Sequence, residues 1–309
     1  NVIVADTSLI KGETSQVTIT FNEAVHSFDN ADLTIENGTL TPVNSVDGGT
    51  TWTATLTPTD AFEGSTNKIT VDNTGVLDIL DAPGVGTTDS NNYAIDTERP
   101  TVVSIVVADT SLIAGETSLV TFTFSEITTG FDNADLTIAE GTLSAVSTAD
   151  GGTTWTATFT PLANLIDATN VISLNVTGVS DAAGNAGVGI SNSNNYTINT
   201  VRPTVGIVVA DTSLIVGETS LVTIAFSEAI TGFDNADLTI ASGTLSAVSS
   251  ADGGITWTAT LTPTASISDA TNVITLQNAG VLNGAGNAGV GTTDSNNYAV
   301  DTVRPTATM

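Results

Sequence analysis

The sequence predicts an all-β protein of three tandem immunoglobulin-like β-sandwiches, each of about 100 residues, in an extended rod. Three observations support this: recurring landmark residues, strand-like alternation of apolar and polar residues, and turn-forming segments between the alternating runs. The landmarks recur 103 and then 102 residues apart, at Trp52, Trp155 and Trp257 and at Tyr93, Tyr196 and Tyr298. A solenoid unit of about 20–50 residues is too short for this period, which is typical of a whole domain.

The same offsets place the domain boundaries. Four segments are expected: 1–97 as repeat 1, 98–200 as repeat 2, 201–302 as repeat 3, and 303–309 as the start of a further repeat. Because Asn1 aligns with Ser104, the first strand of repeat 1 is expected to be truncated. We therefore interpret the chain as part of a longer array.

Repeat 2 shows the strand pattern most clearly. Val120, Phe122 and Phe124 alternate with threonines, the period of a strand with one buried face. Turn signals such as Asp150-Gly151-Gly152 separate the runs. Trp155 is expected to fill the core. The predicted strands are 102–108, 118–125, 135–139, 142–147, 154–160, 170–176 and 195–199.

Composition excludes several classes of function. The chain has 33 acidic residues, 5 Lys and Arg, a formal charge of −28 and no cysteine. Nucleic acid is excluded as a partner because its phosphates need basic residues, and anionic membranes are disfavoured for the same reason. Without cysteine there is no disulfide and no thiolate metal site. No run of about 18 apolar residues predicts a membrane-spanning segment.

Enzymatic function is not indicated. The one histidine, His26, is expected in a surface loop, and the equivalent positions hold Thr129 and Thr231. A Ser-His-Asp triad would therefore depend on one unrepeated residue. Paired carboxylates can hydrolyse glycosides, but few aromatic residues are left to line a sugar cleft. No cofactor other than a metal is expected.

The predicted strand order brings acidic loops to the upstream pole of each repeat, where the preceding linker arrives. In repeat 2 these loops are 126–135, the turn at 150 and 181–194, and the linker is 93–100. Asn185, Asn283 and Asn287 add amide oxygens. The candidate metal ligands are Glu23, Asp29, Asp32 and Asp78 in repeat 1, Asp96, Glu126, Asp132, Asp135 and Asp181 at the first junction, and Asn199, Glu228, Asp234 and Asp237 at the second.

Calcium is the predicted metal. Two carboxylates about 5 Å apart repel by about 3 kcal/mol at an effective dielectric constant near 20. Ca²⁺ relieves such repulsion by accepting about 6–8 oxygen ligands, whereas transition metals favour histidine. The alternative is that these acids are solvated loop residues and turn caps. Asp109, Glu116 and Asp167 form a weaker candidate group at the opposite pole.

A set of motifs resembles a known family. The set comprises Phe124-Ser125-Glu126, the run 131–136, Trp155, the run 181–185 and the linker 200–204. It is similar to the bacterial Ig-like repeats of giant, type I-secreted surface adhesins of Gram-negative bacteria, the RTX adhesins. The resemblance implies an extracellular location, cell adhesion, a role in biofilms, and Ca²⁺ at domain junctions. Repeat 1 departs from the pattern at 78–83, so its loop is expected to bind metal differently or not at all.

The leading hypothesis is a monomeric, non-enzymatic extender whose partners are the neighbouring repeats, with no membrane insertion in this segment. The linkers are short, and Pro100 and Pro203 restrict their backbone conformation, which favours a stiff rod. The alternative is direct binding of a glycan, a host surface or ice through outward threonines, although threonine is common on any exposed strand. A structural repeat of an S-layer or fibre is a third possibility. The threonine row considered is Thr51, Thr53, Thr55 and Thr57.

Overall fold

The computed structural model describes residues 1–307, and within them it contains strands, turns and short 3-10 helices but no α-helix. The prediction of an all-β protein is therefore confirmed. In the described part of the chain, no helix is long and apolar enough to span a membrane. Residues 308 and 309, which end the expected start of a further repeat, lie outside the described residues.

Each repeat contributes its own strands, numbered here in chain order. In repeat 1, β1 to β13 are Val2–Val4, Ser8–Ile10, Ser15–Thr20, Val25–His26, Leu33–Ile35, Gly38–Leu40, Asn44–Ser45, Thr51–Pro58, Glu63–Asn67, Ile69–Asp72, Leu77–Asp78, Thr87–Asp89 and Tyr93–Asp96. In repeat 2, β14 to β24 are Val102–Val107, Ser111–Ile113, Ser118–Phe124, Leu136–Ile138, Gly141–Leu143, Ser147–Thr148, Thr154–Pro161, Ile166–Asn170, Ile172–Asn175, Ile190–Asn192 and Tyr196–Asn199.

Repeat 3 follows the strand order of repeat 1. Its strands β25 to β37 are Val205–Val209, Ser213–Ile215, Ser220–Phe226, Ile230–Thr231, Leu238–Ile240, Gly243–Leu245, Ser249–Ser250, Thr256–Pro263, Ser268–Asn272, Ile274–Gln277, Leu282–Asn283, Thr292–Asp294 and Tyr298–Asp301. Two 3-10 turns recur in every repeat, at Asn30–Asp32 and Asn73–Gly75, Asn133–Asp135 and Val176–Gly178, and Asn235–Asp237 and Asn278–Gly280.

Repeat 2 illustrates the sandwich. One sheet has the order β14-β16-β20-β18, with β19 also paired to β20. The other layer consists of β17-β22-β23 and β15-β24-β21, in which β15 and β24 run parallel. Side chains from both layers share one core, as expected of two sheets packed face to face. Phe122, Phe159 and Tyr196 are fully buried in it.

Trp155, which was expected to fill the core, packs against it and is half-buried. Its ring meets Phe131 edge-to-face with the centroids 5.4 Å apart. Its indole N–H donates to the carbonyl of Gly152 at 2.9 Å. This bond satisfies the polar end of the side chain, so the apolar body can be buried without an unpaired donor.

Four strands of repeat 2 were not predicted. They are β15, β19, β21 and β23, each of only two to five residues. Such short segments carry no readable alternation. Because β23 begins at Ile190, the loop predicted to run over 181–194 ends earlier. Asn194 instead bonds to the backbone of Val107 at 2.8 Å. His26, expected in a loop, lies in the two-residue strand β4.

The linkers between repeats are held to the domain they leave. The hydroxyl of Thr97 donates to the carbonyl of Thr59 at 2.7 Å and accepts the N–H of Phe62 at 3.1 Å. Thr200 makes the equivalent bonds at the next linker. Pro100 and Pro203 are buried. Each repeat is therefore joined to the next by a short, packed segment rather than a flexible tether.

Candidate metal centre at the domain junctions

At the first junction, one asparagine of repeat 2 clamps two strands of repeat 1. Asn185 donates its side-chain amide to the carbonyl of Asp96 at 2.9 Å, at the end of β13. Its side-chain oxygen accepts the N–H of Lys11, just after β2, at 2.7 Å. Asn185 is 2% exposed. These bonds connect the upstream pole of repeat 2 to the downstream end of repeat 1.

Asp181 holds Asn185 in place. Its Oδ1 accepts the backbone N–H groups of Gly184 at 2.7 Å and Asn185 at 2.8 Å, and its Oδ2 accepts the Asn185 amide at 2.8 Å. The sequence therefore folds this loop around a buried carboxylate, 2% exposed, that faces the incoming linker.

The carboxylates at this junction repel one another, and the repulsion favours their protonated forms. Burial, followed by the negative charge of Asp181, raises the pKa of Glu126 to about 7. Burial and the same charge also raise the pKa of Asp96. Glu63 and Glu98, which the sequence analysis did not identify, contribute to both shifts. A cation placed among these groups would remove the repulsion.

The donor chemistry fits a hard cation, because every candidate ligand here is an oxygen. The positions do not yet form a coordination shell: across residues 1–307, no group of three or more His, Cys, Asp or Glu side chains is arranged to hold a metal ion. A bound Ca²⁺ therefore requires that the carboxylates of Asp96, Glu126 and Asp181 lie closer together than they do here.

The second junction repeats the clamp with different chemistry. Asn287 donates to the carbonyl of Asn199 at 2.8 Å and accepts the N–H of Ala114 at 2.7 Å. Asn283 stands where repeat 2 has Asp181 and donates to a carboxylate oxygen of Glu228 at 3.2 Å. Here an amide, rather than a second carboxylate, faces the acid.

The upstream pole of repeat 1 holds the predicted residues Glu23 and Asp78. They line a cavity of about 450 Å³ together with Phe21, Val76 and other residues. Asp78 accepts the backbone N–H groups of Leu80 at 2.7 Å and Ala82 at 2.9 Å, so it organises its loop as Asp181 does. Ala82 stands where repeat 2 has Asn185, and the asparagine clamp is missing from this loop.

Three consecutive segments, 1–95, 96–198 and 199–300, match the family model of the bacterial Ig-like domain. The chain belongs to the bacterial Ig-like domain family. No curated protein matches it. Similar solved structures include the Escherichia coli adhesin FdeC, 14% identical with a TM-score of 0.34, covering 97% of this chain and 96% of that chain. A marsupial T cell receptor is 10% identical with a TM-score of 0.32, covering 87% of this chain and 95% of its own.

Six of the predicted ligands form three structural pairs, one pair in each bacterial Ig-like domain of the chain. In repeat 2, Asp132 accepts the N–H of Ala134 at 2.6 Å and Asp135 accepts the N–H of Asp132 at 3.0 Å. This is a capping box on a 3-10 turn, and its Asp-x-x-Asp spacing was readable in the sequence. Neither residue contributes to the raised pKa of Asp96 or Glu126. The structure thus separates the capping pairs from the acids that face the junction. The capping pairs are Asp29 and Asp32, Asp132 and Asp135, and Asp234 and Asp237.

The weaker candidate group at the opposite pole also consists of turn residues. Asp109 accepts the N–H of Ser111 at 2.9 Å, and Glu116 accepts the N–H of Ile113 at 2.9 Å. Asp167 accepts the N–H of Thr169 at 3.0 Å. Each of these three acids therefore accepts a hydrogen bond within its own turn.

The five-stranded sheets of the three bacterial Ig-like domains share one further property. Within residues 1–307, no strand of these sheets contains a charged residue. Their outer faces carry threonines with a few apolar residues, such as Leu119 and Val106 in repeat 2, which are 52% and 45% exposed. The protein's negative charge is therefore confined to loops, turns and the other sheets.

Proposed function

We propose that the chain is a non-enzymatic extender segment of a bacterial surface adhesin, monomeric and extracellular, in which Ca²⁺ stiffens the first domain junction. The observation that carries the proposal is the convergence of Asp96, Glu126 and Asp181 at a junction that Asn185 bridges. Packed linkers support a spacing role, because domains joined by short, packed linkers have less freedom to reorient than domains joined by flexible ones.

The chain's own residues have separate tasks at this junction. Asn185 sets the relative position of the two repeats through its bonds to Asp96 and Lys11. Asp96, Glu126 and Asp181 would supply the oxygen ligands. Bound Ca²⁺ would offset their negative charge, so that the contact between repeats is retained at neutral pH.

Calorimetric titration with calcium tests this proposal on the whole chain. We expect binding that is lost in Asp181→Asn and weakened in Glu126→Gln, and that persists in Glu228→Gln, the matched change at the second junction. Asparagine is tolerated at the equivalent position 283, so Asp181→Asn should fold. Absence of calcium binding by the wild type, or binding unaffected by Asp181→Asn, would contradict the proposal.

A second candidate function is direct binding through the outer faces of the five-stranded sheets. The absence of charge from every described strand of these sheets favours it, since an uncharged threonine face suits a neutral ligand such as a glycan or an ice surface. Glycan-array and ice-affinity measurements test it, with Thr55→Lys and Thr158→Lys placing charge at the centre of two faces. Binding by the wild type that these lysines abolish would support this function, and no binding by the wild type would reject it.

A further inference from the structure

The two junctions share one clamp but differ in charge. Five carboxylates surround the first junction: Glu63, Asp96, Glu98, Glu126 and Asp181. At the equivalent positions the second junction has Ile166, Asn199, Val201, Glu228 and Asn283. Only one of the five is acidic, so the repulsion that a cation would relieve at the first junction is missing from the second.

Asn283 makes bonds that a carboxylate cannot. Its side-chain oxygen accepts the N–H of Asn287 at 2.8 Å and of Ala285 at 3.1 Å, as Asp181 does for its own loop. Its amide nitrogen donates to the carbonyl of Val201 at 3.0 Å and to Glu228 Oε1 at 3.2 Å. The residue is 3% exposed. One side chain therefore joins the loop, the linker and the remaining acid.

Arg202 adds a second bridge. Its guanidinium donates to the carbonyl of Ala288 in repeat 3 at 2.6 Å and to the carbonyl of Ala114 in repeat 2 at 3.2 Å. Arg99, at the first junction, bonds to Ala186 of repeat 2, and no bond from it to repeat 1 is found within the described residues. The second junction is thus tied on both sides by a permanent cationic side chain.

We infer that the second junction is a cation-independent joint, in which the Asn283 amide and the Arg202 guanidinium hold repeats 2 and 3 together without metal. The contrast with the first junction rests on the proposed function, and it gives one chain two kinds of joint. Calcium then controls the angle between repeats 1 and 2 but leaves that between repeats 2 and 3 unchanged.

The absence of native cysteine allows a direct test in the full chain. Thr55, Thr158 and Thr260 are exposed, equivalent positions on the three five-stranded sheets. Nitroxide labels on cysteines at 158 and 260 report on the second junction, and labels at 55 and 158 report on the first. With EDTA, we expect a narrow distance distribution for 158/260 that calcium leaves unchanged. A broad 158/260 distribution that narrows with calcium would overturn the inference.

Variants at Asn283 show whether the amide is responsible. Asn283→Asp keeps the acceptors that Asp181 shows to be compatible with the loop, but it removes both donated bonds and sets two carboxylates together. We expect loss of the narrow 158/260 distribution in EDTA. Glu228→Gln, which retains a bonding partner for Asn283, should leave it narrow. An unchanged distribution in Asn283→Asp would also overturn the inference.

The two proposals fail separately. If the 55/158 distance does not respond to calcium, the calcium-stiffened first junction is wrong, while the 158/260 distribution in EDTA still decides whether the second junction holds without a cation. If 158/260 is broad in EDTA, the inference on the second junction fails whatever happens at the first.

Discussion

The side-chain amide of Asn283 donates to the carboxylate of Glu228 at 3.2 Å, at the position where the preceding repeat places the carboxylate of Asp181. A single change from acid to amide thus converts a repulsive contact into an attractive one within the same loop geometry. Tandem domains of one fold can therefore differ at their junctions, where this change and the loss of three further carboxylates alter the charge balance.

The first junction should loosen as pH rises when calcium is removed. The folded-state pKa of Glu126 is raised from 4.5 to about 7, so the folded protein binds more protons than the unfolded chain between these values. The contribution of Glu126 to the free energy of unfolding is fully present below about pH 4.5 and is lost as pH rises towards 7. This loss is about 1–2 kcal/mol after allowance for partial exposure. Calorimetry in EDTA at pH 5 and 7.5 measures this. Glu126→Gln should reduce the difference, and equal melting temperatures for the wild type would contradict the assignment.

Two equivalent tyrosines should respond differently to loss of the hydroxyl. Tyr93 donates to the carbonyl of Glu36 at 2.7 Å, whereas the buried Tyr196 hydroxyl has no hydrogen-bond partner among residues 1–307. Tyr93→Phe should therefore cost about 1 kcal/mol of unfolding free energy, and Tyr196→Phe should be neutral or stabilising. Urea unfolding of both variants checks this. Equal losses in the two repeats would show that the hydroxyl environments are the same.

Gly187 marks a close approach between the loop and the linker. A Cβ there would lie 2.4 Å from Val176 Cγ1, 2.9 Å from the Val176 carbonyl and 3.2 Å from the Pro100 carbonyl. Gly187→Ala should cost about 1–3 kcal/mol through overpacking. Gly206→Ala, where a Cβ meets nothing within 4 Å, is the matched control and should remain within about 0.5 kcal/mol of the wild type. Thermal unfolding distinguishes the two, and similar melting temperatures would refute the close packing of this linker.

Asp150 should stabilise repeat 2 without affecting calcium. Its carboxylate accepts the Thr148 hydroxyl at 2.8 Å and the N–H groups of Thr153 at 3.1 Å and Thr154 at 3.0 Å. The bond from the Thr154 backbone is the main reason that its pKa is lowered. Asp150→Ala should lower the melting temperature and leave the calcium titration unchanged. A loss of calcium binding would mean that this turn belongs to the metal site.

Sequence patterns predicted the repeat, the sandwich and the long strands because each depends on period and composition. They also predicted that Asp96, Glu126 and Asp181 would meet, since strand direction alone brings those loops to one pole. Chain order could not separate a ligand from a cap. Asp132 and Asp135 lie in the same acidic loop. Their Asp-x-x-Asp spacing is compatible with a capping box, but only their hydrogen bonds show that they close a turn rather than face the junction.

The residues that sequence reasoning missed act through features that do not repeat or carry no charge. Glu63 and Glu98 occur once, so the offsets that identified the other acids did not point to them. Asn185 was considered as an oxygen ligand, yet its side-chain amide donates a hydrogen bond to the backbone carbonyl of Asp96 in the preceding repeat. That role depends on the distance between two domains, which no periodicity within one domain encodes.

In the proposed function, calcium stiffens the first junction through Asp181 and its neighbours. The most direct measurement is the distance distribution between nitroxide labels at positions 55 and 158, recorded in EDTA and then in excess calcium. We expect a broad distribution at neutral pH that narrows when calcium is added, and no response to calcium in Asp181→Asn. A wild-type distribution that is equally narrow with and without calcium, or one that narrows equally in Asp181→Asn, would contradict the account.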